Sequence, residues 1–149
     1  MGEKIIAVNK KALFDYEFEK RYEAGIALTG AEMKAIRAKK VNLQGSFVRL
    51  RYTPGKADPE AVALNLHIGT GENPTRTRTL LLHRNEITQL IGKLEEKRMT
   101  MIPVRLYLKR GLAKLELGLG KARKKHDKRE RLKKKQQQRD VEREVFGRE

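Results

Sequence analysis

Apolar and polar residues alternate with a period of two through much of the chain as far as Leu119, the pattern of strands with one buried face. Phe14, Tyr16 and Phe18 alternate with Asp15 and Glu17, and Val48, Leu50 and Tyr52 with Arg49 and Arg51. Val62, Leu64, Leu66 and Ile68 are expected to face inward, with Ala63, Asn65 and His67 on the other face. Val104, Leu106 and Leu108, then Leu115, Leu117 and Leu119, flank Arg110-Gly111 and read as a hairpin. Pro103 has no N–H to give a ladder, so it belongs at an edge or a bulge.

Two segments break this alternation. In TGAEMKAIR, Thr29 and Glu32 have the spacing of a capping box, which predicts a helix with Met33 and Ile36 inward and Lys34 and Arg37 outward. In HRNEITQLIGKLEEKR, Ile87, Leu90, Ile91 and Leu94 fall on one helical face. About six strands grouped together with two helices imply a mainly β protein, an antiparallel sheet or small barrel with short flanking helices. After Leu119 the pattern stops. The expected division is a barrel domain over 1–120 and a disordered basic tail over 121–149.

Charge narrows the choice of partner. Lys and Arg number 35 against 19 Asp and Glu, a formal charge of +16. Thirteen basic and six acidic residues lie from Lys121 on, so the tail carries +7 and the body +9. Such a chain attracts polyanions, nucleic acid or an anionic membrane surface. There is no cysteine, which removes disulfides, thiol nucleophiles and cysteine zinc sites. No apolar run reaches the length of a membrane span, so a cytoplasmic protein is expected.

Nothing in the sequence points to catalysis. His67, His83 and His126 are scattered, no nucleophile elbow or phosphate loop appears, and GTGEN reads as a turn. No metal or cofactor is implied. Basic residues on ordered elements say more: Lys10 and Lys11, Lys34 and Arg37 with Lys39 and Lys40 beyond, Arg49 with Arg51, and Arg76 with Arg78 can form rows that meet successive phosphates. Aromatic residues make up only 5% and several have core positions, so recognition of folded RNA by shape and phosphate fits better than stacking along a single strand. The tail, free of Gly and Pro from Asp127 to Arg143, can become helical once its charge is neutralised. A tail lying on a membrane is disfavoured by its thin apolar face.

The stretches NKKALFDY, YEAGIALTGAEMKAIRAKKVNL, RTRTLLLHRNEI, LIGKLEEKRMTMIPVRLYLKRGLAKLELGLGK and KKHDKRE, in that order, resemble the SsrA-binding (small protein B) family and span most of the chain. The resemblance implies an oligonucleotide-binding-like antiparallel β-barrel. It implies an adaptor that binds the tRNA-like domain of transfer-messenger RNA and delivers it to stalled ribosomes for trans-translation. The tail would enter the vacant decoding site and mRNA channel and become helical there. Elongation factor Tu is implied as a further partner, no membrane is, and a monomer is expected. The matching positions assign RNA binding to Asn9, Glu23, Gly25, Lys34, Arg37, Leu82 and Lys114, and the basic rows add Lys10 and Lys39. They assign the ribosome to Lys121, Lys124, His126, Asp127, Lys128 and Arg129. Glu23 would accept a bond from a base or 2′-hydroxyl, orient a nearby cation, or serve structure alone.

Where the family reads Gly-Leu/Val-Ala-Lys/Arg-Gly-Lys-Lys, this chain has Gly118-Leu119-Gly120-Lys121-Ala122-Arg123-Lys124, so Gly120 is the expected hinge of the tail. The loop HIGTGENPTRTR lacks the family's Pro-Tyr-Glu and looks shorter. The alternative, from the residues alone, is a ribosomal or general structured-RNA-binding protein.

Overall fold

Asn9 ends the first strand and starts the first helix: its side-chain oxygen accepts the Ala12 N–H at 3.1 Å, which caps the turn that follows. The computed structural model describes residues 3–69, 71–96 and 99–146. In it β1 (Lys4–Val8) leads into α1 (Lys10–Asp15) and then β2 (Tyr16–Ile26). Phe14, expected on a strand, therefore lies in α1, because the Asn9 cap and the Lys11–Asp15 pair at 3.2 Å favour a helical turn there. Next come α2 (Gly30–Arg37), β3 (Val41–Asn42), β4 (Phe47–Arg51), β5 (Glu60–Leu64), β6 (His67–Ile68) and β7 (Arg78–Leu81). α3 (Arg84–Glu95), β8 (Met99–Lys109), β9 (Leu112–Ala122) and α4 (Lys125–Phe146) complete the described chain. Lys97 and Arg98, the end of the predicted second helical stretch, lie outside the described residues.

Six antiparallel strands close a ring in the order β8-β4-β5-β7-β2-β9, with β9 returning to β8. β1 adds to Arg105–Leu108, the end of β8 that β4 leaves free. Closure removes most of the exposed edge. This is the oligonucleotide-binding-like antiparallel barrel with flanking helices; β3 and β6 pair separately beside it.

The β8–β9 hairpin is the spine of the ring. Arg110 and Gly111 have φ of 53° and 78°, the left-handed pair that a tight two-residue hairpin turn requires. Leu115, Leu117, Leu119, Leu106 and Met101 are fully buried inside it. Each such side chain removed from water contributes about 2 kcal/mol. Pro103 sits where the β8–β9 register slips, the bulge that its missing donor calls for.

The strand expected over Val62–Ile68 is two strands. Ala61 and Ala63 face the core, in register with Leu50, Val48 and Leu80, rather than Val62 and Leu64. Asn65 then adopts φ 57°, which shifts the alternation by one residue and returns Leu66 and Ile68 to the core. Its side-chain amide donates to the Gly45 carbonyl at 3.2 Å, holding that kink.

Gly120 is not a hinge. It is buried within β9, paired with Phe18 and Thr100, beside the β2 register slip at Phe18–Lys20. An added Cβ would lie 2.0 Å from the Glu17 carbonyl oxygen, so the strands approach closely only with glycine here. At Gly118 the Cβ would meet the Phe18 ring at 2.6 Å instead. β9 continues to Ala122, past the expected end of the barrel. The tail, expected to be disordered, is helix from Lys125, built of good helix formers with its side chains from Arg129 to Arg139 exposed.

Gly120→Ala is expected to cost about 3 kcal/mol or more, because backbone must move, and Gly118→Ala about 1 kcal/mol, because a ring can turn. Urea denaturation of the two variants measures this; equal losses would refute the distinction.

Candidate nucleic-acid interface

Helix α2 is fixed at its start by a carboxylate. Glu32 accepts the Thr29 N–H at 2.9 Å while the Thr29 hydroxyl accepts the Glu32 N–H at 3.2 Å, the capping box expected from spacing. The same carboxylate takes Nη2 of Arg76 at 2.6 Å and Nε of Arg78 at 2.6 Å. Arg78 is wholly buried and donates further to the carbonyls of Leu66, Arg76 and Pro74 at 2.6–3.0 Å. A guanidinium cannot shed its charge, so at zero exposure it needs all of these partners. Arg76 and Arg78, expected as a row of phosphate contacts, are instead committed to holding β7 against α2. Burial opposes ionisation of Glu32, but the Arg76, Thr29 and Arg78 bonds outweigh it and lower its pKa to about 2.

The outward face of α2 stays free. Lys34, Arg37, Lys39 and Lys40 are all exposed and have no ion-pair partner among the described residues. The helix ends in a Schellman turn, with the Lys39 N–H on the Ile36 carbonyl and the Lys40 N–H on the Ala35 carbonyl, both at 2.9 Å. Lys39 occupies the left-handed position of that turn, φ 61°, which costs a side-chain-bearing residue about 1 kcal/mol. The four cations also gather at the helix end where positive charge is favoured.

Beside this ridge lies a groove of about 370 Å³ lined by Gly25, Met33, Arg37, Leu81, Leu112 and Lys114, among others. Gly25 pairs laterally with Leu81 on one side and Lys114 on the other. A Cβ at Gly25 would lie 3.3 Å from that of Leu81, so glycine keeps the floor flat. Leu81 and Leu112 are 63% and 61% exposed. Leu82, the leucine expected here, packs partly against the core instead, because alternation along β7 turns only Leu81 outward.

Two residues before Gly25, Glu23 accepts a hydrogen bond from the Tyr107 hydroxyl and lies 3.5 Å from Lys109 Nζ. The Tyr107 bond, helped by Lys109 and Lys114, holds the Glu23 carboxyl below its usual range. Of the roles considered for Glu23, the structural one has the Tyr107 bond and orienting a nearby cation has the Lys109 contact. Lys114 itself has no ion-pair partner among the described residues.

Asn9 is a correction. It is buried, its amide donating to the carbonyls of Leu43 and Pro103 at 3.1 and 3.0 Å, so its side chain is taken up within the fold. It positions α1 and leaves Lys10 exposed on the first turn. On β4, Arg49 stacks over the Phe47 ring and Arg51 pairs with Glu60 at 2.9 Å.

In the tail, Lys121, Lys124 and Arg129 are exposed, whereas Lys128 pairs with Asp15 at 3.3 Å. The side chains of His126 and Asp127 lie outside the described residues. The Nε of Arg123 is buried with no hydrogen-bond partner among the described residues. Among the described residues no group of three or more His, Asp or Glu could hold a metal ion, and no helix is long and apolar enough to cross a membrane.

A closed barrel with an unpaired cationic ridge along an apolar groove, extended by a cationic helix, defines a polyanion-binding β-barrel protein. The SmpB protein family model matches residues 6–146, and the chain belongs to that family. It is 49% identical to the SsrA-binding protein of Nostoc punctiforme, over 95% of this chain and 93% of that one. It is 50% identical to the SsrA-binding protein of Anoxybacillus flavithermus, over 94% and 92%. A solved structure described as "tmRNA-SmpB: a journey to the center of the bacterial ribosome" superposes with a TM-score of 0.64 and 39% identity, covering 85% of this chain and 92% of its own.

The sequence reading missed Leu81, Leu112, Tyr107, Lys109 and Asp15. Only Leu112, an apolar residue directly after a Gly turn, carried a local signal. Glu32→Gln is expected to cost about 3 kcal/mol, since it leaves the buried Arg78 charge uncompensated. Because the folded pKa of Glu32 is depressed to about 2 from 4.5, its contribution is complete above pH 4.5 and lost as pH falls through about 2. Denaturation curves from pH 7 to pH 2 should therefore converge for the two proteins at the acid end.

Proposed function

We propose that this protein binds the tRNA-like domain of transfer-messenger RNA and delivers it to stalled ribosomes for trans-translation, as an adaptor rather than an enzyme. The observation that carries the reading is the convergence of Arg37, Lys114, Leu81 and Leu112 on one groove, with Lys34 and Lys39 exposed on and just after the same helix, in a member of the SsrA-binding family. Unpaired cations meet phosphates, and exposed leucines over a glycine floor take the apolar face of a ribose or base. A folded RNA supplies both at fixed spacing.

The body, to about Ala122, is the reader of the RNA. The tail, with Lys121, Lys124, His126, Asp127, Lys128 and Arg129, acts in the decoding site and mRNA channel, where phosphate neutralises its charge and favours the helix. Elongation factor Tu joins the complex, and the protein works as a cytoplasmic monomer. The same cations would suit a general binder of structured RNA. What separates the two is preference for one RNA.

The test compares transfer-messenger RNA, an elongator tRNA and an unrelated hairpin at two salt concentrations. Lys34→Ala and Arg37→Ala should each weaken binding and reduce the salt slope by about one unit, while the preference for transfer-messenger RNA persists. An unaltered slope would place that side chain off the interface, and equal affinity for all three RNAs would leave the general binder. Replacing Asp127, Lys128 and Arg129 together with Ala should abolish tagging on stalled ribosomes and change RNA affinity less than threefold, about 0.6 kcal/mol. Parallel loss of both would assign the tail to RNA capture.

A further inference from the structure

The junction between barrel and tail turns on one residue. The backbone carbonyl of Asp15 accepts the Arg123 N–H at 2.7 Å, just after β9 ends. Its carboxylate meets Lys128 Nζ at 3.3 Å, within the first turn of α4, and Lys11 Nζ at 3.2 Å. Asp15 closes α1, whose start is locked to β8 by Asn9, so it stands on a fixed platform. One attachment would leave a pivot. Two, at positions 123 and 128, define both where the helix leaves and which way it points.

We infer that Asp15 is a positioning residue that aims the tail helix. From Lys128 to Phe146 the helix extends about 27 Å, so a small change of angle at its base moves its far end by many ångströms. The direction in which a cationic arm is presented then depends on the Asp15 anchor. Asp15 stays ionised: burial opposes its charge, but the Lys11 and Lys128 bonds outweigh it and lower its pKa.

The value of aiming the tail rests on the function proposed above, but the anchor is tested in free protein without RNA. The chain has no cysteine, so Thr88→Cys on α3 and Gln138→Cys on α4, both exposed, accept spin labels cleanly. With Asp15 and Lys128 intact, the label distance is expected to be a single narrow population. Asp15→Asn or Lys128→Gln should abolish that narrow peak with no change in melting temperature, and Asp15→Glu should keep it. A broad distribution in the parent, a narrow one in Asp15→Asn, or a broad one in Asp15→Glu overturns the assignment, whatever RNA the barrel prefers.

Discussion

The buried contact between Glu32 and Arg78 is the constraint on which the binding face depends. One carboxylate caps α2, neutralises a guanidinium with no access to water, and draws Arg76 to the same point. An ion pair this buried adds little net stability compared with an apolar pair, since desolvation offsets most of the attraction. What it does supply is a fixed angle. α2 leaves the barrel in one orientation, and its Arg37 lines the groove beside β7.

Much of this was legible in the sequence. The capping box at Thr29 and Glu32, the hairpin at Arg110-Gly111, the bulge at Pro103 and the barrel class all follow from local chemistry that tertiary contacts reinforce. The misreadings share a cause, which is partnership across the chain. Arg76 and Arg78 look like free cations until Glu32, more than 40 residues away, claims them. Asn9 looks like a polar surface group until Leu43 and Pro103 enclose it. At Val62–Ile68 the alternation is real, but Asn65 resets its phase, and a left-handed residue other than glycine leaves no mark in a hydrophobic pattern. The groove leucine was misplaced by one position because in LLL every register is equally apolar.

The two cationic regions differ in how they are held. On the barrel, charges stand on elements pinned by capping, ion pairs and close strand packing, so their spacing is set before a ligand arrives. On α4 the charges share a helix whose side chains from Arg129 to Arg139 are exposed and whose base is tied to the barrel through Asp15. A preorganised face suits discrimination among folded partners. An exposed cationic arm fixed at its base suits a channel lined with opposite charge, where the partner offsets the repulsion among its own charges.

Lys39 shows where such a design resists improvement. It occupies the left-handed position of the Schellman turn, where glycine is the less costly residue. A selection for thermal stability alone would favour glycine there and would remove one of the four unpaired cations in doing so. Heat resistance and surface potential therefore pull this position in opposite directions. Among variants ranked by melting temperature, the ones that rise through this turn are those with the weaker field at the end of α2.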